Sequence, residues 1–368
     1  MQKQSIEYQK IDSDIQFLIE LRKRVNSYFK MNALNKYGNT IAIVKAIAFV
    51  ALNLIASISI FYTNTFGQLL LAYSVIGVSA IFIALNLSHD AAHNSFVKSK
   101  KINNILVYTF DMLGASGYIW KHKHIYSHHP HVNIPTMDND IKESKLIRIF
   151  PNAPWLSNHR FQHLYMPPLY LFYTLFWMIF RDFKDFFETD KQGRPLYSHE
   201  RKEYIILFSV KFIFVLRMLI LPYLILPFSF GQVLLGFLCF HFVASFTVAL
   251  PLVSAHVGEH AQFPQPDEDG LMPSSWVRHQ LITTTDFATE SPLINHLFGG
   301  FNHHVVHHLF PDICNIHYPQ LTKILKQACY EFHMPYSDNP SMTKAVWSHL
   351  KFLKKQGREG MRAEYIDM

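Results

Sequence analysis

Eight histidines occupy three short stretches of the chain, HDAAH at 89–93, HIYSHH at 124–129 and HVVHH at 304–308. Spacings of three and four residues put imidazoles on one face of a helix, so each stretch can offer two or three ring nitrogens to one point in space. A ninth, His256, stands alone at the end of an apolar run. Each pattern is common enough in a chain with 22 histidines, but together they exceed the four ligands of a structural zinc site and suggest two ions. Imidazole suits iron, copper, nickel or zinc, so the ligand type leaves the metal open. The three cysteines, Cys239, Cys314 and Cys329, have no paired spacing, which argues against a disulfide framework, a zinc ribbon or an iron–sulfur cluster. They read as small buried hydrophobes.

The histidines are positioned by apolar sequence. Of the 368 residues 49% are apolar and 15% aromatic, and runs near 20 residues long predict membrane spans at 41–62, 68–88, 205–227 and 231–255. The apolar stretch 167–180 is too short to cross a ~30 Å hydrocarbon core and reads as an interfacial or buried helix. Nearly all Lys and Arg fall in 1–40, 89–203 and 256–368, and the positive-inside rule places these segments in the cytoplasm. His89 and His256 each follow a span directly, so every cluster is expected on one side of the membrane, with both termini cytoplasmic. The expected fold class is an all-α integral membrane protein, four transmembrane helices carrying a cytoplasmic helical cap with a polyhistidine di-metal site.

Residues 1–40 read as a cytoplasmic amino-terminal arm, 41–340 as one membrane domain and 341–368 as a basic carboxy-terminal tail. The amino terminus has charges and no apolar core, so it is not expected to be a cleaved signal peptide. Lys211 is expected to snorkel toward the cytoplasmic end of the third span; Arg217 either faces the protein interior or lies outside a span that starts later. The formal charge of +7 comes from residues flanking apolar segments, a pattern that fits topology and anionic headgroups rather than nucleic acid.

With these clusters in view, the chain resembles the membrane fatty acid desaturase family, and within it the bacterial, linoleoyl-CoA-desaturase-like branch of acyl-CoA desaturases. The resemblance rests on the three boxes, on Trp120 before His124 and Asn133 after His129, and on HRFQHLY at 159–165, TTTDFA at 283–288 and GGFNHHVVHHLFP at 299–311. It implies two iron ions that use O2 as co-substrate and two electrons to remove hydrogens from neighbouring methylenes of a long-chain fatty acyl substrate. Carried over box by box, it implies the metal ligands His89 and His93, then His124, His128 and His129, then His304, His307 and His308, with His256 the isolated extra ligand. His303 is an alternative to His304. Leu252 stands where the related stearoyl type has Asn, and His304 where many front-end members have Gln.

The carboxylates Asp90, Glu259 and Asp286 are candidates to orient ligand imidazoles by accepting their second N–H, or else are solvated or capping groups. His163, His260 and His279 stand between site and bystander, whereas His199, His241, His317, His333 and His349 read as ordinary core or surface histidines. No fused b-type cytochrome signature, iron–sulfur cysteine cluster or nucleotide-binding glycine turn occurs, so electrons are expected from a separate carrier, a ferredoxin or b-type cytochrome, at the cytoplasmic face. The setting implied is an integral, multi-pass membrane protein, at the inner membrane in a bacterium. Two rivals remain: a di-iron lipid hydroxylase or ketolase, and, from a different class, a metal transporter.

Overall fold

A computed structural model describes residues 6–141, 144–189 and 197–366, with side chains to 359. The chain divides into two compact units: one holds 38–122 and 168–249, the other 1–37, 123–167 and 250–368.

The first unit is built on helices long and apolar enough to cross a membrane, Thr40–Tyr62, Phe66–Ala92, Arg201–Ile225 and Phe230–His256, the last running past the unit's boundary. These are the four spans expected from sequence, each a few residues different at its ends. Spans one and three leave most of their apolar surface open, while two and four are the inner pair. Small residues let the inner pair approach: a Cβ on Gly77 would lie 2.7 Å from Phe240 O, and one on Gly236 would lie 2.6 Å from the Tyr73 ring. Tyr73 Oη then donates to Met218 O at 2.6 Å. Asn53 of span one ties to span two through Ile76 O and Ser79 Oγ.

The two awkward cations of span three each find a partner within the unit. Lys211 does not snorkel: it is buried, and its Nζ donates to Asp182 Oδ2 at 2.5 Å and to Gly114 O at 2.6 Å. Asp182 also accepts from Ser116 N and Trp177 Nε1, so every polar atom of this carboxylate is used. Arg217 is half-buried and donates to Met112 O at 2.9 Å. The stretch expected to be an interfacial or buried helix breaks into short helical pieces, including Tyr173–Phe176 and Trp177–Arg181, none of membrane length.

The second unit has its own core. The helix Asp12–Met31 buries Phe17, Leu21 and Val25, four residues apart, against helix Tyr318–Glu331 and the apolar side of His304–Leu309. Asp14, fully buried, forms a two-pronged pair with Arg278. Two short parallel pairings, Glu7–Tyr8 with Leu271–Met272 and Asp286–Phe287 with Asp338–Asn339, pin distant segments together. The basic segment after 341 forms the helix Met342–Ile366. Arg148 Nη1 donates to Gln356 O, Trp155 Nε1 to Gly357 O and Gln162 Nε2 to Leu353 O, all within 2.8 Å.

Candidate metal centre

Seven of the nine predicted ligands lie in the second unit, and the fold brings all seven together. His128, His256, His304 and His308 are buried, and one ligand atom from each lies within 4.8 Å of the others; His129, His307 and His308 form a second such group, and His124, His128 and Asp140 a third. His304 Nε2 and His256 Nε2 are 2.8 Å apart, and His129 Nε2 and His124 Nε2 3.1 Å. Two nitrogens bound at ~2.1 Å to one ion at right angles lie about 3 Å apart, so these separations suit a shared metal.

A π-helical turn, His124–His128, sets the second box. Its wider winding puts the backbone bond at i+5, from His129 N to His124 O at 3.1 Å, and brings the rings of His124 and His129 to 4.6 Å. An α-helical reading of the box pairs His124 with His128 alone; the π turn adds His129.

The backs of the rings are held. His124 Nδ1 bonds Asp140 Oδ2 at 3.1 Å, His128 Nδ1 both oxygens of Asp138 at 3.0 Å, and His256 Nδ1 the carbonyl of Thr283 at 3.3 Å. His307 Nδ1 bonds Tyr318 Oη at 3.2 Å and His308 Nδ1 bonds Gln280 Oε1 at 3.1 Å. An acceptor at Nδ1 fixes the proton there and leaves the Nε2 lone pair for a metal. The Nε2 of His308, fully buried, has no hydrogen-bond partner among the described residues. The donor set therefore fits a metal that takes imidazole.

Charge agrees with this. Burial and neighbouring imidazoles hold His308 well below the ordinary histidine range, which keeps that ring neutral and able to coordinate. Burial also works against charge on His128, but the adjoining Asp138 outweighs it and raises that ring.

His89 and His93 lie in the first unit, at the end of the second span. A π-helical turn, Ala84–Ser88, precedes them, their ring centroids are 5.0 Å apart, and His89 packs 5.6 Å from Trp120.

His303 has both ring nitrogens engaged, by Thr322 Oγ1 at 2.8 Å and Asn295 Oδ1 at 3.0 Å, so of the two neighbours it is His304 that faces the cluster. His279 donates to Val132 O and braces the loop after the second box, His260 is exposed, and His163 sits beside the charges of Lys354 and Arg358. Glu259 is exposed and pairs with Lys351 at 3.4 Å. Asp90 Oδ1 is 3.7 Å from His89 Nδ1. Asp286 accepts from Val305 N at 2.8 Å and Tyr336 Oη at 2.7 Å, capping the third box from its first turn. Burial raises its carboxyl to about 7.

Sequence reasoning missed the acceptors themselves. Asp138 and Asp140 follow the second box closely enough to have been candidates; Gln280, Tyr318 and the Thr283 carbonyl carry no signal in spacing. It noted Asn133 without a role. At φ +55° that residue sends its backbone N–H to Asp138 Oδ2 and its side-chain amide to the carbonyls of His256, Gln262 and Thr283, at 3.0 to 3.2 Å.

Comparison with known proteins follows the same lines. The family model described as "Fatty acid desaturase" matches residues 64–340. The chain is 32% identical over 340 residues to the sn-1 linoleoyl-lipid 6-desaturase of Synechocystis, covering 92% of this chain and 94% of that one. It is 30% identical to the protein of the same description from Arthrospira platensis, covering 93% and 92% of the two chains. The acyl-lipid (8-3)-desaturase of Physcomitrium patens is 29% identical, over 98% of this chain and 76% of that one.

Proposed function

Because the chain belongs to the fatty acid desaturase family and is a membrane fatty acid desaturase, an oxygen-dependent oxidoreductase, we propose that its histidines hold two iron ions. The proposed ligands are the seven gathered imidazoles, His124, His128, His129, His256, His304, His307 and His308, together with His89 and His93. The observation that carries this reading is the set of five rings whose Nδ1 atoms are held by acceptors while the rings crowd together. Metal-bound histidine requires that arrangement.

When bound, the irons supply the activation of O2 that an unactivated C–H bond demands, a task beyond redox-silent zinc. Overall, –CH2–CH2– + O2 + 2e⁻ + 2H⁺ gives –CH=CH– + 2H2O. The protein's share is positional. Asp138, Asp140, Gln280, Tyr318 and Thr283 O keep protons on Nδ1 and fix ring orientation. The burial of His128, His256, His304, His307 and His308 keeps bulk water from the site. Asp286 anchors the first turn of the helix that carries three of the ligands.

The relatives' names point to an acyl chain esterified in a lipid, and the cyanobacterial names to position 6 of a linoleoyl chain. The four-span topology and the positive-inside rule support a cytoplasmic centre with both termini on that side, fed by a separate ferredoxin or b-type cytochrome. Fatty acid methyl ester analysis of cells expressing the wild type or His307→Ala, with a compatible carrier supplied, tests the reading. New unsaturated species absent from the variant are expected, and their fragmentation gives the bond position. Hydroxylated products would move the assignment to the hydroxylase rival, and no product with no iron in the purified protein would overturn it.

A further inference from the structure

The helix Met342–Ile366 turns two different faces in two directions. Inward go Ala345, Ser348, His349, Phe352 and Leu353. Outward go Lys344, Trp347, Lys351, Lys354, Lys355 and Arg358, all exposed, Trp347 to 58%. At 1.5 Å per residue this is a stripe about 21 Å long. Among the described residues two carboxylates stand against its five cations, Glu259 at Lys351 and Glu359 at Lys355, 3.4 and 3.8 Å away. Lys344, Lys354 and Arg358 make no ion pair among the described residues.

The inward face of the same helix touches the segment that follows a proposed ligand. His349 Nδ1 donates to Val257 O at 2.6 Å, and Ser348 Oγ accepts from Glu259 N at 2.9 Å. Val257 is bonded to His256. From the exposed indole of Trp347, two residues of backbone, one hydrogen bond and one further residue lead to an imidazole of the cluster.

We propose that this outward face is the docking surface for an acidic one-electron carrier protein, and that electrons pass inward through His349 and Val257 to His256. The proposal rests on the reading above that a separate carrier feeds the centre. Each encounter oxidises the carrier by one electron and reduces the histidine-bound iron by one; two encounters supply the two electrons the desaturation consumes. A helix that lies on lipid presents a band of apolar side chains to it, but here the apolar side is already packed into the protein. One large aromatic ringed by cations is instead the composition of a protein docking centre, and the charge imbalance selects an acidic partner.

The test uses the full-length, iron-loaded enzyme in nanodiscs of phosphatidylcholine, with a reduced plant-type [2Fe–2S] ferredoxin as the probe and its oxidation followed by stopped flow. In Lys344→Glu/Lys354→Glu/Arg358→Glu the second-order rate is expected to fall by about 10-fold or more at low salt, with the gap closing as ionic strength rises. Trp347→Ala is expected to slow transfer at every ionic strength. Dithionite with methyl viologen, which needs no docking face, should reduce wild type and variants equally. An unchanged rate with ferredoxin in both variants would overturn the proposal, as would equal slowing with methyl viologen. Slowing confined to discs containing phosphatidylglycerol would reassign the face to lipid and overturn it too. Iron-loaded wild type that methyl viologen cannot reduce would sink the redox centre itself, a result distinct from a failure of docking.

Discussion

The Nδ1 of His128 stands 3.0 Å from both carboxylate oxygens of Asp138, ten residues further along the chain. The carboxylate cannot swing away from the ring, because it also accepts the backbone N–H groups of Asn133, Asp140 and Ile141. Every contact it makes is with a donor. In Asp138→Asn the new amide must point its own N–H at one of them. Affinity for iron is predicted to drop by about 10–100-fold, read as the chelator concentration that strips half of the metal. Affinity equal to wild type would show that this pairing does not set the ligand.

His256 and His308 belong to one buried group of four imidazoles. With Nδ1 held by the Thr283 carbonyl in one and by Gln280 in the other, each has a single nitrogen left and can serve one ion only. His256→Ala and His308→Ala are each predicted to lose about one iron per chain by elemental analysis and to keep the other. Full retention of both irons in either variant would rule that imidazole out as a ligand.

Asp286 provides a pH signature. Its folded pKa, about 7, lies above the unfolded 3.8, so between those values the native state binds more protons than the unfolded state. Stability contributed at this position is greatest below the unfolded pKa and is lost as pH rises through about 7. Asp286→Asn, which can still accept from Val305 N, is predicted to flatten that part of the thermal-melting profile of the metal-free protein relative to wild type. A difference between the two that does not change with pH would contradict the assignment.

The buried pair Lys211–Asp182 should behave asymmetrically. Removing the cation in Lys211→Met leaves Asp182, fully buried, uncompensated, at a cost of about 3–5 kcal/mol. The double variant Lys211→Met/Asp182→Asn removes both charges and is predicted to recover much of the loss. Guanidinium or thermal unfolding in detergent decides it, and a double variant no better than the single would refute the account.

How much of this was legible in the sequence depended on distance along the chain. The spans were readable because lipid demands uninterrupted apolar length, and the boxes because ligands on one turn must recur at turn spacing. The π turn was not readable, since one extra residue per turn leaves no mark in HIYSHH itself. Nor were the acceptors behind the rings: Gln280 meets His308 across 28 residues, and the acceptor for His256 is a backbone carbonyl, which every residue possesses. Lys211 misled because its partner, Asp182, lies 29 residues away and outside the apolar run, so the span alone offered only snorkelling.

Asn133 ties the loop after the second box to the end of the fourth span and to the Thr283 segment through a single side-chain amide. None of the three can peel away without stranding polar hydrogens in a dry interior, so the block around the imidazoles opens all together or not at all. Passage of an ion in or out is then governed by a cooperative, sub-global unfolding event rather than by rotation of one ring. A centre loaded while the chain folds would keep its metals on the timescale of the slowest-exchanging amides, minutes to hours, instead of the nanoseconds of a side-chain flip.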